Sequence, residues 1–520
     1  MPHEDTTRPL VNPWIIAVTV MLSTFLEVLD TSVVNVSLPH IAGSLSATID
    51  EATWVLTSYL VANAIVLPIT GWLANQFGRK RLLITAVSGF TIASLLCGIA
   101  PTLPALVLFR VLQGAAGGAL QPISQAVLLE TFPPQDRGKA MAFWGLGIVV
   151  APMLGPTLGG WLTDAYSWRW VFYINLPIGI ASILMTKWYI FDPHYIKPRG
   201  GKVDFWGLGM LAVGVSALQI VFDKGQEADW FGSHMIVILS IIAAVGLIAF
   251  VIWELSIKDP IVQLRVFKNR TYAVGVLLMT LLGFVLYGSL VLLPIYLQTM
   301  MGYTAFLAGW WTSPRGIGSI IFMPIAGILL SRKWDPRIML MLGLVSGSMS
   351  LFLFSGFNLN SGTWQIFWPQ ILQGAALAFI FVPLTTVTMD PIANADMGNA
   401  TSLFNLVRNV GASAGISMST TLVARRSQFH QSRLVAHLNP ASASYRNMLA
   451  QLQAGFMRQG ADAVDASHRA LAALYGMVQQ QAAVMSFVDA FWLLAVIFIV
   501  MAPLVLLMRR PKSGKILSAH

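Results

Sequence analysis

Two acidic residues, Glu27 and Asp30, stand inside the first long apolar run of the chain, three positions apart. On a helix they share a face. A carboxylate in mid-bilayer is expensive unless it faces a polar cavity or is neutralised, so such residues mark ion or proton pathways by default. Two carboxyls this close titrate as a pair. Proton coupling needs a group of this kind, and the competing role for Asp30 is a packing one, hydrogen-bonding neighbouring helices. Arg110 lies inside the fourth apolar run, where a guanidinium must find carboxylate or carbonyl partners. It either tunes a carboxyl or serves as a strut between helices. Arg315, within SPRGIG, and Arg408, within NLVRNVGASAG, admit the same two roles. Together with Asn35 and Gln113 they are the candidates for a substrate cavity or gate.

The elements that must carry these residues are membrane helices. Of 520 residues, 56% are hydrophobic and only 10% charged, against roughly 25% charged in an ordinary soluble domain. Apolar runs with no strict alternation exclude a transmembrane barrel. Fourteen runs of spanning length are marked, from 14–38 to 399–424 and 484–508. The expected fold is an all-α polytopic one. The excess of 32 Lys+Arg over 22 Asp+Glu falls in alternate loops, as the positive-inside rule requires, and so reports topology and not a nucleic-acid partner. The inner loops hold Arg79, Lys80 and Arg81; Arg137 and Lys139; Lys197, Arg199 and Lys202; Lys258, Arg265, Lys268 and Arg270; Arg332, Lys333 and Arg337; and a tail from Arg509. An even count then puts both termini in the cytoplasm. The first run carries two acids and is unlike a short cleavable leader.

VLQGAAGGA from Val111 recurs as ILQGAALAF from Ile371, and the same interval of 260 residues carries Glu130 to Asp390 and Gly155 to Gly415. Two related halves are implied. Residues 1–190 form an expected N-terminal six-helix bundle, 191–258 a linker with two inserted spans at 205–222 and 235–255, and 259–520 a C-terminal six-helix bundle. The long hydrophilic stretch at about 425–483 has apolar residues at helical spacing, at Met448, Leu449, Leu452 and Phe456 and at Leu471, Leu474, Met477 and Val478. With a turn at Asn439-Pro440 it reads as an extracytoplasmic helical hairpin.

Gly155, Pro156, Gly159 and Gly160 in the fifth run allow close helix approach and a bent backbone, which suits either a hinge or static packing. In the loop after the second run, GWLANQFGRKR from Gly71, Gly78 permits a tight turn, and the basic triplet from Arg79 can anchor the cytoplasmic face or cap a helix C-terminus. No HExxH, Walker A or GxSxG pattern occurs, and the spans hold no cluster of His and Asp. Neither an enzyme, a metal site nor a cofactor is expected. A lone cysteine, Cys97, permits no intrachain disulfide.

LDTSVVNVSLP (29–39), GWLANQFGRKR (71–81), RVLQG (110–114), APMLGPTLGG (151–160) and WRWVFYINLPIG (168–179) follow in order on the right spans. In this the chain resembles the major facilitator superfamily, and within it the fourteen-helix drug:proton antiporters. The resemblance implies two six-helix bundles plus two extra central helices, and outward movement of amphipathic toxic compounds, often cationic or uncoupling, against protons. The proton gradient would be the only energy source. Asp30 matches the family's first-helix acid, Arg110 its fourth-helix arginine, and Gly155, Pro156 and Gly159 the fifth-helix pattern of antiporters. Asn75 stands where the loop motif usually has an acid, so the charge network of that loop must be reduced or rerouted. Glu27 has no counterpart in the pattern. The resemblance further implies a bacterial inner membrane, a periplasmic adaptor of the EmrA type and an outer-membrane channel. An uptake symporter for an organic solute, with the cavity arginines as counter-ions, is the alternative; a receptor or enzyme is the remote one.

Overall fold

The computed structural model describes residues 11–192, 204–257, 260–439 and 441–508. Pro440, Lys197, Arg199, Lys202, Lys258 and the tail from Arg509 lie outside them. Fifteen helices organise the described residues: α1 (Pro13–Ser44), α2 (Ile49–Phe77), α3 (Arg79–Ile99), α4 (Leu103–Thr131), α5 (Arg137–Ala165), α6 (Trp170–Tyr189), α7 (Phe205–Lys224), α8 (His234–Ser256), α9 (Arg270–Thr299), α10 (Phe306–Ser331), α11 (Pro336–Phe354), α12 (Thr363–Met389), α13 (Met397–Ala436), α14 (Ala443–Arg458) and α15 (Ala463–Leu506). Short turns interrupt α2, α4, α6 and α10 without ending their course. Loop residues start several of these helices. Asn12 Oδ1 accepts from Trp14 N at 2.9 Å with Pro13 at the first helical position, and Asp335 caps α11 in the same way ahead of Pro336.

All but α13 and α14 are long and apolar enough to cross a membrane, thirteen spans among the described residues. The span expected at 399–424 falls on α13, whose buried face is polar: Asn399, Thr401, Ser402, Asn405 and Arg408 are all buried. It packs among its neighbours because those groups find partners across a seam. Asn405 Nδ2 donates to Gln125 Oε1 at 2.7 Å, and Thr401 Oγ1 to the Pro122 carbonyl at 3.1 Å, both on α4.

Helices α1 to α6 pack on one another, as do α9 to α13 with α15. Between these groups the contacts run α5 to α10 and α12, and α2 and α4 to α13. They close tightly at the end that carries the basic loops. A Cβ on Gly71 would stand 2.5 Å from the Asn399 backbone, and one on Gly138 2.8 Å from Leu330. The inserted pair is asymmetric. α7 lies against α2 and α13, with Gln219 Nε2 donating to Ser413 Oγ at 2.9 Å, whereas α8 packs chiefly on α7 and leaves most of its apolar surface outward, as a lipid-facing helix does.

The hydrophilic stretch at 425–483 is helical throughout most of its length, but it is built as extensions of its neighbours. α13 runs on to Ala436, α15 begins at Ala463, and α14 folds back on α15. Between Ala463 and Val500 there is no proline and a single glycine, Gly476, through which the helix runs unbroken, so a membrane helix and a hairpin arm become one rod. At its base Asp489 of α15 accepts from Arg426 Nε at 2.5 Å and bonds His430 Nε2 at 2.7 Å, both on α13.

Candidate functional site

Asp30 is fully buried and fully partnered. Its Oδ2 accepts from Arg110 Nη1 at 2.6 Å, and its Oδ1 from Gln113 Nε2 at 2.9 Å and Asn175 Nδ2 at 2.7 Å. The arginine is held in turn. Arg110 Nη1 also donates to Gln113 Oε1 at 2.8 Å, its Nε to the Val55 carbonyl at 3.0 Å, and its guanidinium lies 4.1 Å from the Tyr59 ring centroid. Helices α4 and α6 therefore meet α1 at one carboxylate, and α2 holds the arginine paired with it. Arg110 and Gln113 reach it together because three residues is nearly one helical turn. The backbone that supplies the Val55 carbonyl sits just past the turn at Thr53 in α2.

Glu27 and Asp30 were expected to act as a pair, and the structure gives them separate partners. Glu27 is buried beside Asn63, whose Nδ2 donates to Oε1 at 2.9 Å, and faces Gln121 and Arg408. Gln113, expected in the cavity, belongs to the Asp30 cluster. Asn35 is exposed on α1 and joins neither group.

Arg315 and Arg408 do meet, as polar points in the wall of a central cavity between the halves. Its lining is otherwise largely apolar, with Ile148 and Val149 of α5, Met279 and Leu282 of α9, Met323 of α10 and Phe381 of α12. About 660 Å³ there is free of atoms, a volume that includes space open to the surroundings. Arg315 Nη2 bonds Gln373 and, at 3.3 Å, Ser289 Oγ; Arg408 Nη2 bonds Gln121 and, at 3.2 Å, Asn409 Oδ1. Neither guanidinium bonds a carboxylate among the described residues. Gln373 is the repeat partner of Gln113, and Gln373 Nε2 donates to Ser289 Oγ at 2.9 Å. The second half thus has its own arginine, glutamine and serine cluster, but the interval of 260 residues places Gln370, not an arginine, opposite Arg110 and Leu290 opposite Asp30.

The fifth-helix motif packs α5 on α1. A Cβ on Gly155 would lie 2.2 Å from Ser32 Oγ and one on Gly159 2.8 Å from the Val33 carbonyl, while Gly160 has nothing closer than 4.0 Å. Pro156 has no N–H, so the Pro152 carbonyl loses its helical donor. Ser32 Oγ supplies one, at 3.3 Å.

In the loop after α2, Gly78 takes φ +82°, and Asp192 beyond α6 approaches it. Asp192 Oδ1 accepts from Lys80 N at 2.9 Å, at the start of α3, where a carboxylate is favoured by the helix dipole. Arg79 pairs with Glu130 of α4. With Asn75 uncharged, Glu130 and Asp192 are the carboxylates of that loop network. Asn175, Asn63, Gln121, Ser289, Gln373 and Asp192 were not singled out from sequence. Asn175 lay inside the quoted WRWVFYINLPIG, and Gln373 in the repeat; the others carry no local signal.

Helices in two related sets around a buried ion pair and a central cavity define a multi-pass membrane carrier. The family model for the Major Facilitator Superfamily matches residues 20–416, and the chain belongs to that family. It is 42% identical to the multidrug export protein EmrB of Haemophilus influenzae, over 81% of this chain and 82% of that one. It is 39% identical to the fatty acid resistance protein FarB of Neisseria gonorrhoeae, over 94% and 95%. The solved structure of the proton:xylose symporter XylE shares the fold, with a TM-score of 0.60 at 15% identity over 96% of both chains.

Proposed function

We propose that this chain is a proton-driven exporter of amphipathic compounds that carry an acidic head, working by alternating access in a bacterial inner membrane with both termini cytoplasmic. The observation that carries the substrate class is the cavity, an apolar chamber whose two cations, among the described residues, hydrogen-bond amides and hydroxyls and no carboxylate. An apolar tail is served by the walls and an anionic head by the guanidiniums. A cationic head, which the resemblance made equally acceptable, would meet like charge. The names of the relatives, multidrug export and fatty acid resistance, support export of such compounds. The cavity arginines would equally serve an anion moving inward, and the glycine and proline pattern of α5 is what favours antiport.

Asp30 is the leading proton site in this reading. It does not line the cavity, so coupling runs through packing. Protonation removes the charge that holds Arg110, α1 is then freer to shift, and α1 lies along α5, whose residues form one cavity wall. A proton and a substrate that favour opposite arrangements exchange; ligands that favour neither move nothing. The two sets of helices would rock about the cavity, opening the end now closed by Gly71, Asn399, Gly138 and Leu330. The hairpin of α13, α14 and α15 would receive a periplasmic adaptor of the EmrA type, leading to an outer-membrane channel.

Binding of a dansyl-labelled decylsulfonate to the purified chain in lipid nanodiscs tests the cavity. Arg315→Gln should weaken it on the order of ten-fold, as loss of one charge-assisted contact implies, while leaving the corresponding dansyl alcohol unaffected. Equal binding of the sulfonate by both proteins would contradict the reading.

A further inference from the structure

Glu27 stands outside the Asp30 cluster and at the place where the two halves of the molecule exchange polar contacts. Its Oε1 accepts from Asn63, and the side chain of Gln121 also approaches the buried carboxyl. The groups that face the carboxyl are Gln121 from α4, Arg408 from α13 and Asp30 from its own helix, with Tyr59 of α2 close by. Gln121 Oε1 accepts from Arg408 Nη2. A line of polar groups therefore runs from Glu27 on α1, past Gln121, to a guanidinium in the cavity wall of the other half. Asp30 is matched by Arg110 at 2.6 Å. Among the described residues Glu27 faces Arg408 and forms no ion pair within contact distance.

We propose that Glu27 determines the head-group specificity of the exporter: acting on Arg408 across the interface, its negative charge sets how strongly the cavity attracts anions and how far it tolerates cations. The inference deepens the efflux reading and rests on it. Unit charges several ångströms apart in a poorly screened interior interact strongly. With Glu27 ionised, part of the field of Arg408 is cancelled, and the cavity accepts an acidic head without holding it too tightly to release. With a neutral amide of the same shape, Arg315 and Arg408 act together on the head. Glu27 touches no substrate in this scheme. It is a positioning residue for charge, and its effect depends on the sign of the ligand.

Three dansyl probes with one decyl chain, ending in a sulfonate, a trimethylammonium or a hydroxyl, separate that effect from a structural one. They are titrated at mildly alkaline pH into the full chain in nanodiscs. Glu27→Gln is expected to tighten sulfonate binding on the order of ten-fold and weaken ammonium binding by a similar factor, with the alcohol unchanged, and Glu27→Asp to keep the wild-type order. Equal shifts for all three probes, or a shift in none, would overturn the proposal. Should Glu27→Gln fail to fold, Arg408→Gln provides the opposite case, with the sulfonate weakened and the ammonium strengthened; an unchanged ratio would overturn it equally. Binding of none of the probes by the wild type would overturn the cavity reading itself, and this inference with it.

Discussion

A buried ion pair gives up the hydration of both charges, and the attraction between them roughly repays it when the remaining hydrogen bonds are made. Asp30 and Arg110 meet that condition through Gln113, Asn175 and the Val55 carbonyl. Removing one partner alone leaves the other charge buried and uncompensated. Asp30→Asn should therefore lower unfolding stability by about 3 kcal/mol, and Asp30→Asn combined with Arg110→Gln should recover much of that loss without recovering proton coupling. Thermal unfolding in detergent measures the first effect, and a double mutant as unstable as the single one would contradict it. Asp30, Glu27 and Arg110 were legible in the sequence because an ionisable residue in an apolar run is conspicuous. Their partners were not. Asn63, Gln121 and Ser289 are ordinary polar residues until the fold shows what they face, and Glu27 and Asp30, though they share a helical face and act on each other through space, take different hydrogen-bond partners.

Among the helices, α5 shows how a motif sets a distance. Gly155 and Gly159 let its backbone approach α1, and Pro156 leaves a carbonyl that Ser32 satisfies. Gly155→Ala should cost about 1–3 kcal/mol through overpacking and slow transport, because the Ser32 side chain and its hydrogen bond must be displaced. Gly160→Ala should be tolerated, since the nearest atom is 4.0 Å from the added carbon. Parallel melting curves and uptake rates check the contrast, and two equally tolerated variants would mean that the motif does not set the α1 to α5 contact. Periodicity and apolarity located the membrane helices well. The run at 399–424 was marked as a span like the others, and the polar residues that make α13 less apolar lie on the face that reaches α4 across the seam. Sequence placed a hairpin at 425–483 but missed that its arms continue α13 and α15, since a change from apolar to polar composition looks like an end when no helix breaker is there to decide.

At the scale of the whole molecule, the closed end at Gly71 and Gly138 and the central cavity describe one arrangement of a carrier that must have at least two. The hairpin is the part of the chain that extends this carrier beyond the expected membrane span. Replacing residues 437–462 by a short flexible linker should abolish capture of a co-expressed EmrA-type adaptor while leaving membrane insertion and substrate binding intact; undiminished capture would remove the hairpin from the assembly. The central claim, exchange of protons for an amphipathic anion through Asp30, is tested most directly in proteoliposomes holding an acid-inside gradient. A permanently ionised decylsulfonate is added outside, and internal pH is followed against protein-free vesicles. The account predicts alkalinisation triggered by the compound with the wild type and none with Asp30→Asn, whose fold is verified by retained sulfonate binding. Full proton movement in a folded Asp30→Asn protein would contradict it.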